Sequence, residues 1–181
     1  MKIEKIINRW RVKAGYIGAV LVLILAKPSL FSLLIGILFS IFGLLIRTWS
    51  SGYLNKEKKL ATGGPYQYTR NPLYLGNLIL GISIVLGCRS WWVFGIFIVY
   101  FLFFYPATIK REKERMMKFF QSEYKNYEKN VPLFFPSFKK SYPPNNSSFN
   151  WALYKKNKEY RALIGAMLFW LAMTARMIIF H

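Results

Sequence analysis

Between Leu73 and Tyr105 the sequence holds one charged residue, Arg89, and between Ala162 and Phe180 again one, Arg176. Ala14 to Ala26 and Ser29 to Ile46 carry none, with only Lys27-Pro28 between them. Cys88-Arg89-Ser90 divides the longer tract in the same way, so five apolar segments result: 14–26, 29–46, 73–87, 91–105 and 162–180. A helix that is apolar around its whole circumference must be surrounded by protein or by lipid, and one small domain has too little protein to surround five of them. A spanning helix needs roughly 20 residues, with about 17 as a working minimum. Segments 14–26, 73–87 and 91–105 are shorter and require their flanks. Trp10, Trp91, Trp92, Tyr100 and Tyr105 suit the membrane interfaces, while Arg11, Lys13 and Arg89 can snorkel outward. The second pair either crosses fully or is partly embedded.

The charges supply the orientation. The chain of 181 residues is 54% hydrophobic and carries 26 Lys+Arg against seven acids, all Glu, for a net charge of +19. As a bulk number this suits a nucleic-acid-binding globule as well as a membrane protein. By position, with five crossings assumed, 23 bases fall before Ala14, in 47–70 and in 110–161, all on one side, and only Lys27, Arg89 and Arg176 fall on the other. A nucleic-acid-binding globule has no reason to segregate charge by the parity of its apolar segments, so no nucleic-acid partner is expected. The positive-inside rule makes the N-terminus cytoplasmic and the C-terminus external. The basic stretch before segment 14–26 is not expected to be a cleaved leader, because no small-residue cleavage site precedes Lys27-Pro28. One cysteine, Cys88, and one histidine, His181, leave no internal disulfide and no basis for metal catalysis.

The expected fold is therefore all-α and polytopic, a single membrane domain over 1–181 with about five transmembrane helices, arranged as two helical hairpins plus a C-terminal span. Two basic stretches, 47–72 and 109–161, lie on the cytoplasmic side against anionic lipid. In the second, Ile109 to Asn130 reads as an amphipathic helix: at 100° per residue Ile109, Met116, Phe120, Tyr124 and Tyr127 share a face, interrupted by Lys113. Residues 131–150 contain four prolines and read as a loop. Trp151 to Arg161 suits a membrane-surface helix running into the last span.

The stretch Thr62-Gly-Gly-Pro-Tyr-Gln-Tyr-Thr-Arg-Asn-Pro-Leu-Tyr-Leu-Gly76 is the densest in possible chemistry. Gly63-Gly64-Pro65 is a turn. Asn71 before Pro72 is a helix start, with Asn as cap and Pro at the first helical position. The partial positive charge and free N–H groups of that N-terminus, with Arg70 beside it, would stabilise a carboxylate or phosphate. Tyr66, Tyr68 and Tyr74 offer flat faces for an adenine ring or an organic cation. The plainer alternative is a well-made cap with interfacial tyrosines. Farther on, Glu112 lies at the edge of the face defined by Met116, Phe120 and Tyr124, whereas Glu114 points to the lysine-bearing side. Glu112 is thus either a ligand contact or one half of an ordinary helix salt bridge with Arg115, contributing on the order of 0.3 kcal/mol.

Gly-Pro-Tyr-x-Tyr-x-Arg-Asn-Pro-x-Tyr-x-Gly at 64–76, followed by Glu112, Phe120, Tyr124, Tyr127 and Val131-Pro132-x-Phe134-x-Pro136, resembles the isoprenylcysteine carboxyl methyltransferase and phospholipid methyltransferase superfamily. These are integral membrane enzymes that use S-adenosylmethionine without a soluble Rossmann-type domain. The resemblance covers about residues 47–136, and Trp151 to Ala162 is similar to the tail of bacterial members, which implies a bacterial inner membrane. It implies that 47–72 is a cofactor loop, that Leu60, Ala61, Tyr66, Asn71, Pro72, Leu73 and Tyr74 wrap the cofactor, and that Glu112, twelve residues before Tyr124, joins them. Arg70 and Glu112 are then the expected catalytic pair, with Arg70 at the cofactor carboxylate. Three positions depart from the pattern. Asn71 replaces the usual His, Lys113 replaces the second acid of a Glu-Glu pair, and Thr108 stands where a substrate-facing arginine is usual, for which Lys110 or Arg111 are the expected substitutes in substrate binding.

The implied activity is methyl transfer from S-adenosylmethionine to a lipophilic acceptor at the cytoplasmic membrane face. The acceptor is an isoprenylcysteine-like carboxylate, a phospholipid amine or a small hydrophobic thiol. An amine would need a proton acceptor, for which Glu114, a tyrosine or water are available. The competing class is a non-enzymatic membrane scaffold or anionic-lipid-binding protein.

Overall fold

A computed structural model of the chain describes residues 2–56, 58–139, 142–145 and 147–180; the side chains of 2–9, 11 and 12 lie outside the description, and with them the interfacial placement expected of Arg11, as does His181. All regular structure among the described residues is helical: α1 Lys2–Leu25, α2 Leu30–Tyr53, a short 3-10 turn Gly64–Gln67, α3 Pro72–Cys88, α4 Trp91–Asn130, α5 Trp151–Lys156 and α6 Tyr160–Ile179. Each apolar segment lies within a helix of its own. Three helices, α2, α4 and α6, are long and apolar enough to cross a membrane, and Lys13–Leu25 and Pro72–Cys88 are shorter apolar helices. Large apolar side chains point outward, among them Phe31, Leu34, Phe42 and Leu45 on α2 and Leu168, Leu171 and Ile178 on α6. That inside-out distribution is what a bilayer solvent selects. The protein is a polytopic, all-helical integral membrane protein.

Within lipid, helices gain nothing by burying apolar surface against each other, so close backbone approach through small residues decides which ones pair. Here the dominant pair is α2 with α3. A Cβ at Gly36 would stand 2.9 Å from the Ser83 carbonyl oxygen, and one at Gly43 would stand 3.0 Å from that of Gly76. Ser29 and Ser32 cap the start of α2 reciprocally, and the Ser32 hydroxyl also donates to the Gly87 carbonyl at 3.0 Å. Segments 14–26 and 29–46, like 73–87 and 91–105, are joined by a short turn, as a hairpin requires, yet α1 lies against α4 and α6 rather than chiefly against α2. The glycines account for the difference, because they lie on the α2–α3 seam.

Two expected boundaries are corrected. The amphipathic stretch 109–130 is not a separate helix; α4 continues into it from the membrane through Pro106 and is bent only at Gln121, where φ is 32° and ψ is −107°. Proline inside a membrane helix is tolerated where local adjustment absorbs the missing bond, and α4 stays helical through Pro106. Nor do residues 151–161 form one helix. α5 ends at Lys156, Lys158 takes a left-handed conformation with φ 56°, and α6 begins at Tyr160. The Asn157 amide holds this break in place by donating to the carbonyls of Ser51 at 3.0 Å and Leu54 at 2.8 Å, at the end of α2. The proline-rich stretch contains no helix among its described residues, as its sequence indicates.

Candidate functional site

Where α3 begins, its N-terminus, α4 and the loop after α2 enclose a cavity of about 840 Å³. Leu60, Ala61, Tyr66, Arg70, Asn71, Pro72, Leu73, Tyr74 and Glu112 all line it. Residues from two stretches some forty positions apart thus converge on one space.

The wall is built by bracing an irregular segment from two sides. Gly64 adopts φ +56°, a conformation that side chains rarely take, and a Cβ there would strike the Tyr53 ring at 2.7 Å. Its turn presents Tyr66 to the cavity, and the Tyr127 hydroxyl of α4 donates to the Tyr66 carbonyl at 2.6 Å. Beneath it, Leu60, Tyr124, Tyr127 and Val131 form a small buried core. The proline-rich stretch forms the second brace. Arg70 N–H donates to the Pro132 carbonyl at 2.9 Å, Ser137 N–H to the Tyr68 carbonyl at 2.9 Å, and the Thr69 hydroxyl to the Phe134 carbonyl at 2.9 Å. Asn145 closes the other end, its side-chain amide donating to the Leu60 carbonyl at 2.7 Å.

Pro72 occupies the first turn of α3, as expected, but Asn71 does not cap it with its side chain. Its amide instead donates to the Leu133 carbonyl at 2.8 Å. The brace takes the side chain that a cap would have used.

Arg70 is nine-tenths buried and paired. Its Nη1 lies 2.6 Å from Glu128 Oε1, an oxygen that Lys113 Nζ also approaches at 2.7 Å, and 3.5 Å from the Tyr124 hydroxyl. Burial works to raise the Glu128 carboxyl, but the hydrogen bonds and charges of Lys113 and Arg70 outweigh it and hold the group below its ordinary 4.5. Arg70 Nε is buried with no hydrogen-bond partner among the described residues. An orphaned donor of this kind costs about 1–3 kcal/mol. The phenols around it are held in the neutral form. Burial, with Tyr127 and Glu112 nearby, raises Tyr66 well above its ordinary value, and burial likewise raises Tyr124 and Tyr127.

Other expected residues are distributed unevenly. Tyr74 lines the cavity and meets Tyr105 edge-on at 5.5 Å. Tyr68 does not line it; its ring lies between Trp49 and Phe138, with centroids 6.5 and 6.1 Å away. Lys110 and Arg111 are likewise absent from the lining, whereas Lys113, Arg115 and Thr108 belong to it. Lys110 is turned by about 160° around the helix from Glu112, which accounts for its position. Sequence reasoning missed Glu128 as the partner of Arg70, although it stands four residues after Tyr124 and so shares its helix face. It also missed a polar group at the deeper end. Arg47 Nε meets Glu159 Oε1 at 2.5 Å, Arg47 Nη1 bonds the Asn77 side-chain oxygen, and all three residues line the cavity.

The chain is similar to two curated bacterial proteins. It is 35% identical over 94 residues to the cobalt-zinc-cadmium resistance protein CzcN of Cupriavidus metallidurans, covering 50% of this chain and 42% of the relative. It is 32% identical over 92 residues to the nickel-cobalt-cadmium resistance protein NccN of Alcaligenes xylosoxydans xylosoxydans, covering 50% of this chain and 43% of the relative. Each match therefore spans less than half the relative's length. No solved structure matches the chain. The family described as phospholipid methyltransferase matches residues 30–123, just over half of the sequence, from the start of α2 to beyond the kink of α4. With that match over the helices that enclose the cavity, the chain belongs to the phospholipid methyltransferase family.

Proposed function

We propose that this protein transfers a methyl group from S-adenosylmethionine to a lipophilic acceptor at the cytoplasmic face of a bacterial inner membrane. The observation that carries this reading is the convergence of nine residues, from Leu60–Tyr74 and from Glu112, on one cavity at the ends of membrane helices. The residues fit the cofactor. Arg70, in the cavity lining, suits its carboxylate together with the N-terminus of α3 at Asn71-Pro72. Glu112 suits its cationic part, and Tyr66 and Tyr74 suit its adenosine.

When bound, S-adenosylmethionine would supply a methyl carbon already activated by a positive sulfur, for transfer to the acceptor with the carbon–sulfur electron pair left on sulfur. The chain's contribution is alignment and exclusion of water. Arg70 and Glu112 fix the two charged ends of the cofactor, Leu60, Ala61 and Leu73 supply apolar wall, and the Tyr127–Tyr66 bond keeps the turn closed. A carboxylate or thiolate acceptor requires no proton acceptor, and an amine does.

The test is purified protein in detergent titrated with S-adenosylmethionine by calorimetry. Binding in the micromolar range is expected, abolished by Glu112→Ala and by Tyr74→Ala and unchanged by Glu123→Ala. No heat at millimolar cofactor would sink the proposal. Methyl-labelled cofactor followed by mass spectrometry of lipid extracts identifies the acceptor. The names of the two relatives suggest a setting in metal resistance, which a methyltransferase would serve by altering a lipid or small molecule.

A further inference from the structure

At the far end of α3 from the cavity, the turn between α1 and α2, the turn between α3 and α4 and the last turn of α6 meet. Lys27 N–H donates to the Cys88 carbonyl at 2.8 Å, which ties the two turns together. Arg176 ties α6 to the end of α1: its Nε donates to the Ala26 carbonyl at 2.9 Å and its Nη2 to that of Ile24 at 2.8 Å. Between them lies a second pocket, of about 340 Å³, whose lining includes Lys27, Pro28, Arg89, Arg176, Met177 and Phe180.

Lys27, Arg89 and Arg176 are the three bases that the sequence assigns to this face, against 23 on the other, and all three line the one pocket. Bases here reduce the charge asymmetry that orients a membrane protein, so topology does not explain their convergence. No acidic side chain offsets them. Every Glu lies in one of the basic stretches of the opposite face, and Glu159 is 17 residues, about 25 Å of helix, before Arg176. Capping accounts for part of Arg176, because a cation at the end of α1 satisfies carbonyls that the helix leaves open. It does not account for Lys27 and Arg89, which are exposed and whose side chains make no hydrogen bond or ion pair with the described residues. Arg89 also takes φ 49° and ψ 42°, just past a helix end, where glycine is the unstrained residue.

The depth of the pocket identifies its ligand. Trp91 and Trp92 follow Arg89-Ser90 directly and are exposed, as side chains of the membrane–water interface are. Arg89 therefore lies at the level of lipid headgroups. Met177 and Phe180, the latter with its ring 5.1 Å from the Arg176 guanidinium, give the pocket an apolar side next to the exposed Ile178 and Ile179. A small soluble anion would use the bases alone, whereas a phospholipid uses both, its phosphate against the bases and its glycerol and acyl chains against the apolar side.

We infer that this pocket holds the phosphate of an anionic phospholipid, bound by Lys27, Arg89 and Arg176, and that the lipid fastens α6 to the two turns on the face opposite the cavity. Guanidinium groups match phosphate oxygens in geometry, and Lys27 adds a point charge. The basic loops of the other face attract a membrane through many scattered residues; here three bases from three elements make one site for one headgroup.

The experiment uses the full chain in dodecyl maltoside, a detergent without phosphate, and reads the lipids retained per protein by native mass spectrometry together with thermal stability. The probes are dioleoylphosphatidylglycerol, dioleoylphosphatidylcholine, dioleoylglycerol and inorganic phosphate. Phosphatidylglycerol should be retained and raise Tm, phosphatidylcholine should do so more weakly, and dioleoylglycerol and inorganic phosphate at the same concentration should do neither. Lys27→Gln and Arg89→Gly should each weaken phosphatidylglycerol about fivefold and together about thirtyfold. Without lipid, Arg89→Gly should melt no lower than the unaltered protein, because glycine relieves the left-handed backbone. Lys125→Gln with Lys155→Gln, the same loss of charge on the opposite face, should match the unaltered protein. If the double variant of the pocket does not fold, the two single variants carry the comparison. Equal phosphatidylglycerol affinity in the pocket variants and the control pair, equal stabilisation by dioleoylglycerol, or displacement of the lipid by equimolar inorganic phosphate would overturn the inference.

Discussion

Removing one oxygen atom tests how the turn that carries Tyr66 is held. Tyr127 is 2% exposed, and its hydroxyl donates at 2.6 Å to the carbonyl of Tyr66, in the turn that presents Tyr66 to the cavity. Tyr127→Phe keeps the ring, and with it the contacts to Leu60, Tyr124 and Val131, but leaves that carbonyl without its donor. A buried acceptor stripped of its partner costs about 1–3 kcal/mol. If the whole cost appears in global stability, a chain of this size should lose about 2–12 °C in Tm. If the turn opens locally instead, the fraction of molecules with a closed site falls, and cofactor affinity declines by up to about 5- to 150-fold, since each 1.4 kcal/mol is tenfold. Two measurements in detergent separate these outcomes: a thermal melt, and amide hydrogen exchange over 63–69 read with cofactor titration. Faster exchange confined to that stretch is the expected result, because the turn is short and held by few bonds. A variant with unchanged Tm, unchanged exchange and unchanged affinity would refute the claim that this bond closes the site.

Acid should loosen the same region. Glu128 is held below its ordinary 4.5, so its contribution is complete above that value and is lost as pH falls through the lower folded-state value. Melts below pH 4.5 should therefore decline more steeply for the unaltered protein than for Glu128→Gln, and parallel declines would remove Glu128 from the account. On the α2–α3 seam, Gly43→Ala places a methyl 2.9 Å from Leu80 Cγ and 3.0 Å from the Gly76 carbonyl oxygen and should cost about 1–3 kcal/mol, whereas Gly18→Ala meets nothing within 4 Å and should be neutral or stabilising. Thermal melts of the two variants side by side check this. The orientation is checked in a Cys88→Ser background: an impermeant thiol reagent applied to spheroplasts should label Arg89→Cys from outside, and Lys139→Cys only after permeabilisation. The reverse pattern would invert the topology.

The apolar tracts were fully legible because a bilayer leaves an unambiguous mark on composition. Helix ends and partners were less so. Gln121 carries no sequence signal for a kink, and neither Gly nor Pro marks it. Pro106 reads as a breaker, yet α4 passes through it, because the surroundings and not the residue decide whether the backbone is satisfied. Asn71 has the composition of a cap, but the carbonyl that claims it belongs to Leu133, 62 positions away. Gly36 and Gly43 were visible as glycines, but their facing partners Ser83 and Gly76 follow only from the fold. The site was half legible for the same reason. The motif marked the residues that line the cavity, but whether Arg70 meets Glu128, or Arg47 meets Glu159, depends on how distant segments are brought together.

α4 has a mechanical consequence. From Trp91 to the bend at Gln121 it is one helix of about 45 Å, against a hydrocarbon core of about 30 Å. Tyr100 and Tyr105 sit on its lower part and Glu112 on its upper part, and all three face the same cavity, whose opposite wall starts at the head of the separate, 17-residue α3. A bilayer that thins or thickens changes the tilt of a long rod and a short one by different amounts. The gap between Glu112 and Asn71, which lies between two such helices, would change with that tilt.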